Sequence, residues 1–546
     1  MIVDGLCRRR APVGVGLLVL ALSVVLIGTA PALAQQRGGR MVVSYLSDVT
    51  TLDPAIGYDW QNWSIIKSIF DGLMDYVPGT TNLRTHLAES YAISPDGLTY
   101  TFRLRPGVRF HNGRELVAAD VKYSIERVLD PATQSPGQGF FTDIVGADER
   151  IAGQAGEVPG IRVIDDRTVE FVLKQPNAAF LHILGLNFAH VVPREEVERY
   201  GADFGHNPVG TGAFKMREWV LGQRLVLQRN PDYFLPDRPF LDELIFEVGI
   251  DPLVAYLRLQ RGEVDVLGDG IPAARFVQVM NDANLRPLVA VGDQLHTGYV
   301  AINTQVEPFD DVRVRRALNM AINKERIVQI INNRAEPANQ PLPPLMPGYG
   351  SSYAGFSYDP QAARALLAEA GYPNGFRTVL YANNTDPNPR IAQAIQQDLS
   401  TVGVQVELRV LAQGPVIEAA GTPEAAPLVW SGGMAWIADY PDPGNFYWPI
   451  LSCRSATPGG WNWAWYCNPE LDRMAAEADA ITAPERQDER IEIYRQVFTQ
   501  IAEDGAWIPV FNERRFTMHS DRVGGDELLF VDPIHIPVNY DEVYVR

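Results

Sequence analysis

The sequence predicts an α/β protein of two or three domains, and three observations carry that expectation. Its 546 residues are too many for a single hydrophobic core. Residues 378–382, 389–402 and 404–411 read strand, helix, strand, the order of a parallel strand pair joined by a crossover. The pattern changes character near residue 296, and several segments read as pairing with distant ones, so the chain is expected to enter and leave its domains more than once.

In chain order, the first element is a leader. Arg8, Arg9 and Arg10 form a basic start, residues 13–27 an apolar run, and Ala32-Leu33-Ala34 a small-residue cleavage site. The mature chain is therefore expected to begin near Gln35. No Cys follows the apolar run, which argues against a lipid anchor.

Residues 41–46 then read as a buried strand, turned at 51–54. Ile65, Ile66, Ile69, Phe70 and Leu73 recur at helical spacing, with Gly72 near the end. Alternation over 98–104 predicts a half-buried strand, stopped by Pro106-Gly107. Val121, Ile125, Val128 and Leu129 share one helical face. Residues 162–173 read as a hairpin turning at Asp165-Asp166, and 224–229 and 242–248 as further strands.

After the change of pattern, 296–303 is a strand. Residues 312–331 are helical in two pieces, with Asp311 and Asn323 as N-caps because a short side-chain oxygen there can accept from the first free amides. A proline-stiffened segment occupies 341–347, and a helix over 360–370 stops at Gly371. Helices follow over 470–480 and 484–504, then a closing strand at 507–511 and an irregular tail.

The stretch that organises the rest runs from Met434 to Tyr447. Asp439 stands between an apolar run, 434–438, and a Pro-Asp-Pro turn, with Trp436, Tyr440, Phe446, Tyr447 and Trp448 around it. The apolar run reads as a short buried strand ending at Asp439. A carboxylate in an aromatic wall is poorly hydrated and favours a cationic hydrogen-bond donor as its partner. That partner is either a ligand's ammonium or a structural Arg, and Asp439 could instead cap the turn.

Of three cysteines, Cys7 leaves with the leader. Cys453 and Cys467, two thiols in an exported chain with no His between them, are expected to form a disulfide. The formal net charge of −19 and the lack of a long basic run argue against nucleic-acid binding. No G-x-S-x-G, phosphate-loop or H-E-x-x-H motif occurs, and no pair among the eight His has zinc spacing, so no metal, no cofactor and no catalytic set is expected. Asp439 and Asp442 could imitate a glycosidase acid pair.

Several segments together resemble one family. These are SPDGLTYTFRLRPGVRFHNG at 94–113, ADVKYSIE at 119–126, NPVGTGAF at 207–214, RNPDY at 229–233, FDDVRVRRAL at 309–318 and ADYPDP at 438–443. The chain is similar to the family 5 extracellular solute-binding proteins, the dipeptide/oligopeptide-type receptors of ABC importers. The resemblance implies a two-lobed, large class II type periplasmic-binding-protein fold with an extra subdomain in the first lobe. It places the first lobe at 35–75, 200–295 and 507–546, the extra subdomain at 76–199, and the second lobe at 296–506.

It further implies a monomeric, periplasmic receptor that closes on a peptide or other small solute and docks on a membrane permease served by ATPase subunits. By the same resemblance Asp439, in the stretch Trp436-Ile437-Ala438-Asp439, pairs with the ligand's α-amino group. Tyr58, Asp59, Trp60 and Tyr299 line the cleft, and Trp461, Asn462 and Trp463 add a wall, although an aromatic patch packed on the disulfide explains those three equally well. The family also includes nickel, haem, glutathione, opine and oligosaccharide binders, and no clear counterpart of the basic residues that fix a peptide's carboxylate is present. Val117 stands where many relatives have a capping Thr.

Overall fold

The computed structural model describes residues 37–524 and 538–546. The leader and its cleavage site lie outside the described residues. Among the described residues no helix is long and apolar enough to cross a membrane.

Two sheets frame the molecule. The first has five strands, in the order Val266–Leu267, Arg40–Ser44, Glu243–Glu247, Arg224–Arg229, Phe214–Val220. Arg40–Ser44 is an inner strand, runs parallel to both neighbours, and buries Met41 and Val43 completely. A strand covered in this way needs a continuous apolar run, which 41–46 supplies. The connection from Glu247 to Val266 passes through the helix Pro252–Gln260. Asp251 caps it, accepting from the amides of Leu253 and Val254.

The second sheet has six strands, in the order Ala335–Pro337, Trp507–Met518, Val289–Ile302, Leu428–Trp430, Arg377–Asn383, Gln405–Leu411. The expected parallel pair is there, Arg377–Asn383 beside Gln405–Leu411, with Asn388–Thr401 as its crossover helix. The two-piece helix is there too, Val312–Ala321 and Lys324–Ile330. Asp311 accepts from Arg313 N and Asn323 from Arg326 N.

A smaller antiparallel sheet, Ala88–Ile93, Thr99–Leu104, Thr168–Val172 and Ile161–Asp165, contains the expected hairpin. The helix Ala118–Leu129 packs on it through Val121, Ile125, Val128 and Leu129. Val117 has no side-chain acceptor to give, so only the return half of a capping box exists: Val117 N donates to Asp120 Oδ2 at 3.0 Å.

The long strands Val289–Ile302 and Trp507–Met518 pair antiparallel from Val289↔Met518 to Ala301↔Trp507. One end lies in the six-stranded sheet, where Val300 pairs with Trp430. At the other end His519 bridges Val266, a strand residue of the five-stranded sheet. Residues 507–511 thus sit in the six-stranded sheet, although the sequence partition groups all of 507–546 with the first lobe. Register slips between Asp293 and Thr297, so Gln294, Leu295 and His296 bulge out of the ladder.

The run 434–438 is not the short strand its composition suggests. Gly433, at φ +74°, helps turn the chain directly after the strand Leu428–Trp430, and Met434 N closes the turn on Ser431 O at 2.7 Å. Only one ladder contact survives, an isolated bridge between Ile437 and His296.

Candidate functional site

Asp439 is buried, with 4% of its surface exposed. Its Oδ1 accepts from Tyr58 Oη at 2.5 Å and its Oδ2 from Asn445 Nδ2 at 3.1 Å. Asn445 also accepts from the Asp439 amide at 2.9 Å and from Trp436 Nε1 at 3.3 Å. One asparagine therefore sets both the backbone and the carboxylate. Pro443 allows this: it ends the turn, starts the helix Gly444–Ile450, and so brings Asn445 back beneath Asp439.

Among the described residues no arginine reaches Asp439. The structural Arg takes Asp442 instead: Arg490 Nη2 lies 2.7 Å from Asp442 Oδ2 and 3.2 Å from Asp479 Oδ1, with Arg490 and Asp442 almost wholly buried. Burial and the charge of Asp442 both push the Asp479 carboxyl above its ordinary range. Tyr494 Oη at 2.7 Å and Trp448 Nε1 at 2.5 Å donate to the Asp479 carboxylate. In this network Asp442 is paired with Arg490 within the core, which argues against its serving with Asp439 as an acid pair. It leaves Asp439 as a buried carboxylate held by neutral donors and facing no cation among the described residues.

Tyr58, which contacts Asp439 across 381 positions of sequence, is half-exposed. Its phenol is held well above its ordinary pKa, first by burial of the hydroxyl and then by the Asp439 charge, so it donates rather than ionises. Its ring packs on Phe188 and Trp63, with centroids 5.2 and 5.8 Å away. Phe188 stacks on Phe140, and Tyr440 lies between Phe140 and His182. Burial pushes the His182 imidazole down to about 4 and the Tyr440 phenol up. Phe140, His182, Phe188 and Asn445 form part of this surround without having been singled out from sequence. The only local signal was the position of Asn445 just after the proline turn.

The other expected site residues separate into groups. Asp59 is the N-cap of the helix Trp60–Ile69 and accepts from Asn62 N at 2.8 Å. Trp60 opens that helix, and its side chain lies outside the described residues. Tyr299 is buried and stacks flat on Trp507, ring centroids 3.6 Å apart, rather than standing free in a cleft. Its phenol is pushed up by burial.

Cys453 and Cys467 form a disulfide across 14 positions. Within that loop Asn462 is buried and donates to Ser452 O and Tyr466 O, at 3.0 and 2.8 Å. Trp463 is buried, and only Trp461 reaches solvent. The loop triad therefore packs around the disulfide, and Trp461 alone is available as a wall.

The profile of bacterial extracellular solute-binding proteins, family 5 Middle, matches residues 82–458. The glutathione-binding protein GsiB of Escherichia coli strain K12 is 30% identical over 515 residues, 93% of this chain and 95% of that protein. DppA of Helicobacter pylori, an ABC transporter-associated periplasmic binding protein solved with the peptide STSA, is 28% identical. It superposes with a TM-score of 0.72 over 93% of this chain and 98% of DppA. HbpA2 of Haemophilus parasuis is 25% identical, with a TM-score of 0.82 over 93% of this chain and all of that one.

Proposed function

The chain belongs to the bacterial extracellular solute-binding proteins, family 5, and from that premise we propose that it captures a peptide or a related amine-bearing solute in the periplasm and hands it to an ABC permease. The fold is the two-lobed one of these binding proteins. Capture then proceeds by closure. The solute meets one lobe, the lobes shut, and the loss of water strengthens each polar contact. Closure requires that the shut form bind the solute better than the open one.

The observation that carries this reading is the state of Asp439. It is buried, set by Asn445, and bonded to donors that bring no positive charge. An ammonium group supplies what is missing, and Tyr58 and Asn445 are already placed to orient the carboxylate toward it. The peptide bound to DppA and the glutathione named for GsiB both carry an amine, so the two relatives agree on this chemistry. Aromatic walls at Tyr58, Tyr440 and Trp461 accept varied side chains. We read the protein as a binder rather than a catalyst, since Asp442 is committed to Arg490 and leaves Asp439 without an acid partner.

Native mass spectrometry of protein purified without refolding identifies the solute, and an amine-bearing one is expected. A bound sugar or metal complex would reject the reading. Asp439→Asn is expected to weaken amine-bearing solutes by ~2–4 kcal/mol, because a desolvated charge pair is lost. Unchanged affinity removes Asp439 from the site.

A further inference from the structure

Beside the bulge at 294–296 lies a cavity of about 260 Å³. Ile437, two residues before Asp439, forms part of its wall, together with Asp269, Arg334, Glu513, Arg514 and Arg515. Gln61, three residues after Tyr58 in the chain, donates to Asp269 at 3.4 Å. The cavity is thus tied to the Asp439 site from two directions.

Its charges are unevenly satisfied. Arg514 is engaged, lying 3.0 Å from Asp293 and 2.9 Å from Glu336. Asp269 accepts from Leu46 N at 2.6 Å as well as from Gln61. Glu513 lies 3.5 Å from His296. Arg515 faces the hydroxyls of Tyr45 and Tyr540 and the charge of Asp269. Arg334 differs from all of these. Its guanidinium sits over the Phe276 ring at 5.0 Å, and among the described residues no carboxylate comes within ion-pair distance of it. Burial works against the charge on Arg334 and Arg515 alike, by more than Glu513 or Asp269 restores.

We propose that this cavity is the anion half of the ligand site, in which Arg334 takes a carboxylate of a small zwitterionic solute whose ammonium group Asp439 receives. The proposal rests on the reading of Asp439 given above. A guanidinium offers a planar fork that meets a carboxylate with two parallel bonds, and a carboxylate brings the negative partner that Arg334 lacks. The volume lies just below that of whole small-molecule pockets, roughly 300–1,000 Å³, as suits a chamber that takes one end of a solute. It also explains how a chain without the family's usual basic residues can still fix both ends of its ligand.

The test is isothermal titration of the full mature chain with reduced glutathione, alanyl-leucine, alanyl-leucine amide and N-acetyl-alanyl-leucine, each against wild type, Arg334→Gln, Arg334→Lys and Asp439→Asn. Wild type is expected to bind at least one of the two free zwitterions. Arg334→Gln should weaken that binding by about 30-fold or more, as for a truncated buried charge pair. Arg334→Lys should recover part of the loss. The amide should bind wild type weakly and be indifferent to Arg334→Gln.

Equal binding of the free acid by Arg334→Gln and wild type would overturn the proposal. So would an amide that binds as tightly as the acid, or no binding of either zwitterion by wild type. Loss in Arg334→Gln with full affinity in Asp439→Asn would keep the anion site and discard the ammonium role of Asp439. Circular dichroism of Arg334→Gln separates a lost contact from a lost fold.

Discussion

Replacing Arg490 by Met tests how the Asp439 loop is held in place. Arg490 joins Asp442 at 2.7 Å and Asp479 at 3.2 Å, and its guanidinium lies 5.2 Å from the Tyr494 ring centre. Met keeps much of the apolar stem and removes the charge. Asp479 retains Tyr494 and Trp448 as donors, whereas Asp442 keeps only the Gly444 amide at 2.8 Å. Two buried carboxylates would then face each other with no cation between them. Breaking a buried pair in this way costs about 3–5 kcal/mol.

The sign of the pH dependence follows from Asp479, whose carboxyl is already raised by burial and by Asp442. A carboxyl raised in the folded state adds stability below its unfolded pKa and loses that stability as pH rises through the folded value. Without Arg490 the effect grows, so the deficit should be larger at about pH 8 than at about pH 5. Urea unfolding followed by tryptophan fluorescence at both pH values measures it. A deficit under about 1 kcal/mol at the higher pH, or one that does not shrink on acidification, would refute the account of Arg490 as the cation that neutralises this corner.

Other outcomes follow from the same geometry. Val117→Thr should stabilise the protein by about 1 kcal/mol, since it restores the forward half of the capping box on Ala118–Leu129, and a thermal shift reads it. Asp59→Ala should cost about 1 kcal/mol as a lost N-cap while leaving solute affinity unchanged; a large affinity loss would move Asp59 from cap to site. Cys453→Ser should cost about 3 kcal/mol by loop entropy, and reduction of the wild type should reproduce the loss. His111 and His182, pushed down to about 4, and His190, to about 3, are kept neutral by burial. The unfolded chain binds those protons first, so stability should fall as pH drops from about 6.5 toward those values, by up to about 1.4 kcal/mol per pH unit for each. His190→Gln should flatten that slope in pH-dependent unfolding.

What could be read in the sequence was local chemistry. Asp311 and Asn323 were legible as caps because a capping bond spans only two or three residues. The parallel pair around Asn388–Thr401 was legible because a crossover leaves a strand–helix–strand order in the chain. Asp439 stood out because an acid among aromatics is chemically uncomfortable. The apolar composition of 434–438 misled, since the Gly432-Gly433 turn and not hydrophobicity decides its shape.

Long-range choices were not legible. That Arg490 would select Asp442 rather than Asp439 depends on an arginine 48 positions beyond Asp442 in the chain and on where its helix packs. Tyr299 looked like a cleft aromatic until Trp507 covered its face. Arg334 carries no motif, and its significance comes only from the fold, which among the described residues brings no carboxylate within ion-pair distance of it.

The bulge at 294–296 has one more consequence. Gln294 borders the cavity, and His296 is stitched to Ile437 by an isolated bridge outside the ladder. A flexure of the long ribbon at that point would tug on the loop carrying Asp439 while reshaping the chamber beside it. Occupancy and bending would then be one mechanical coordinate, so stiffening the ribbon there should slow both solute entry and release, even with every contacting side chain left intact.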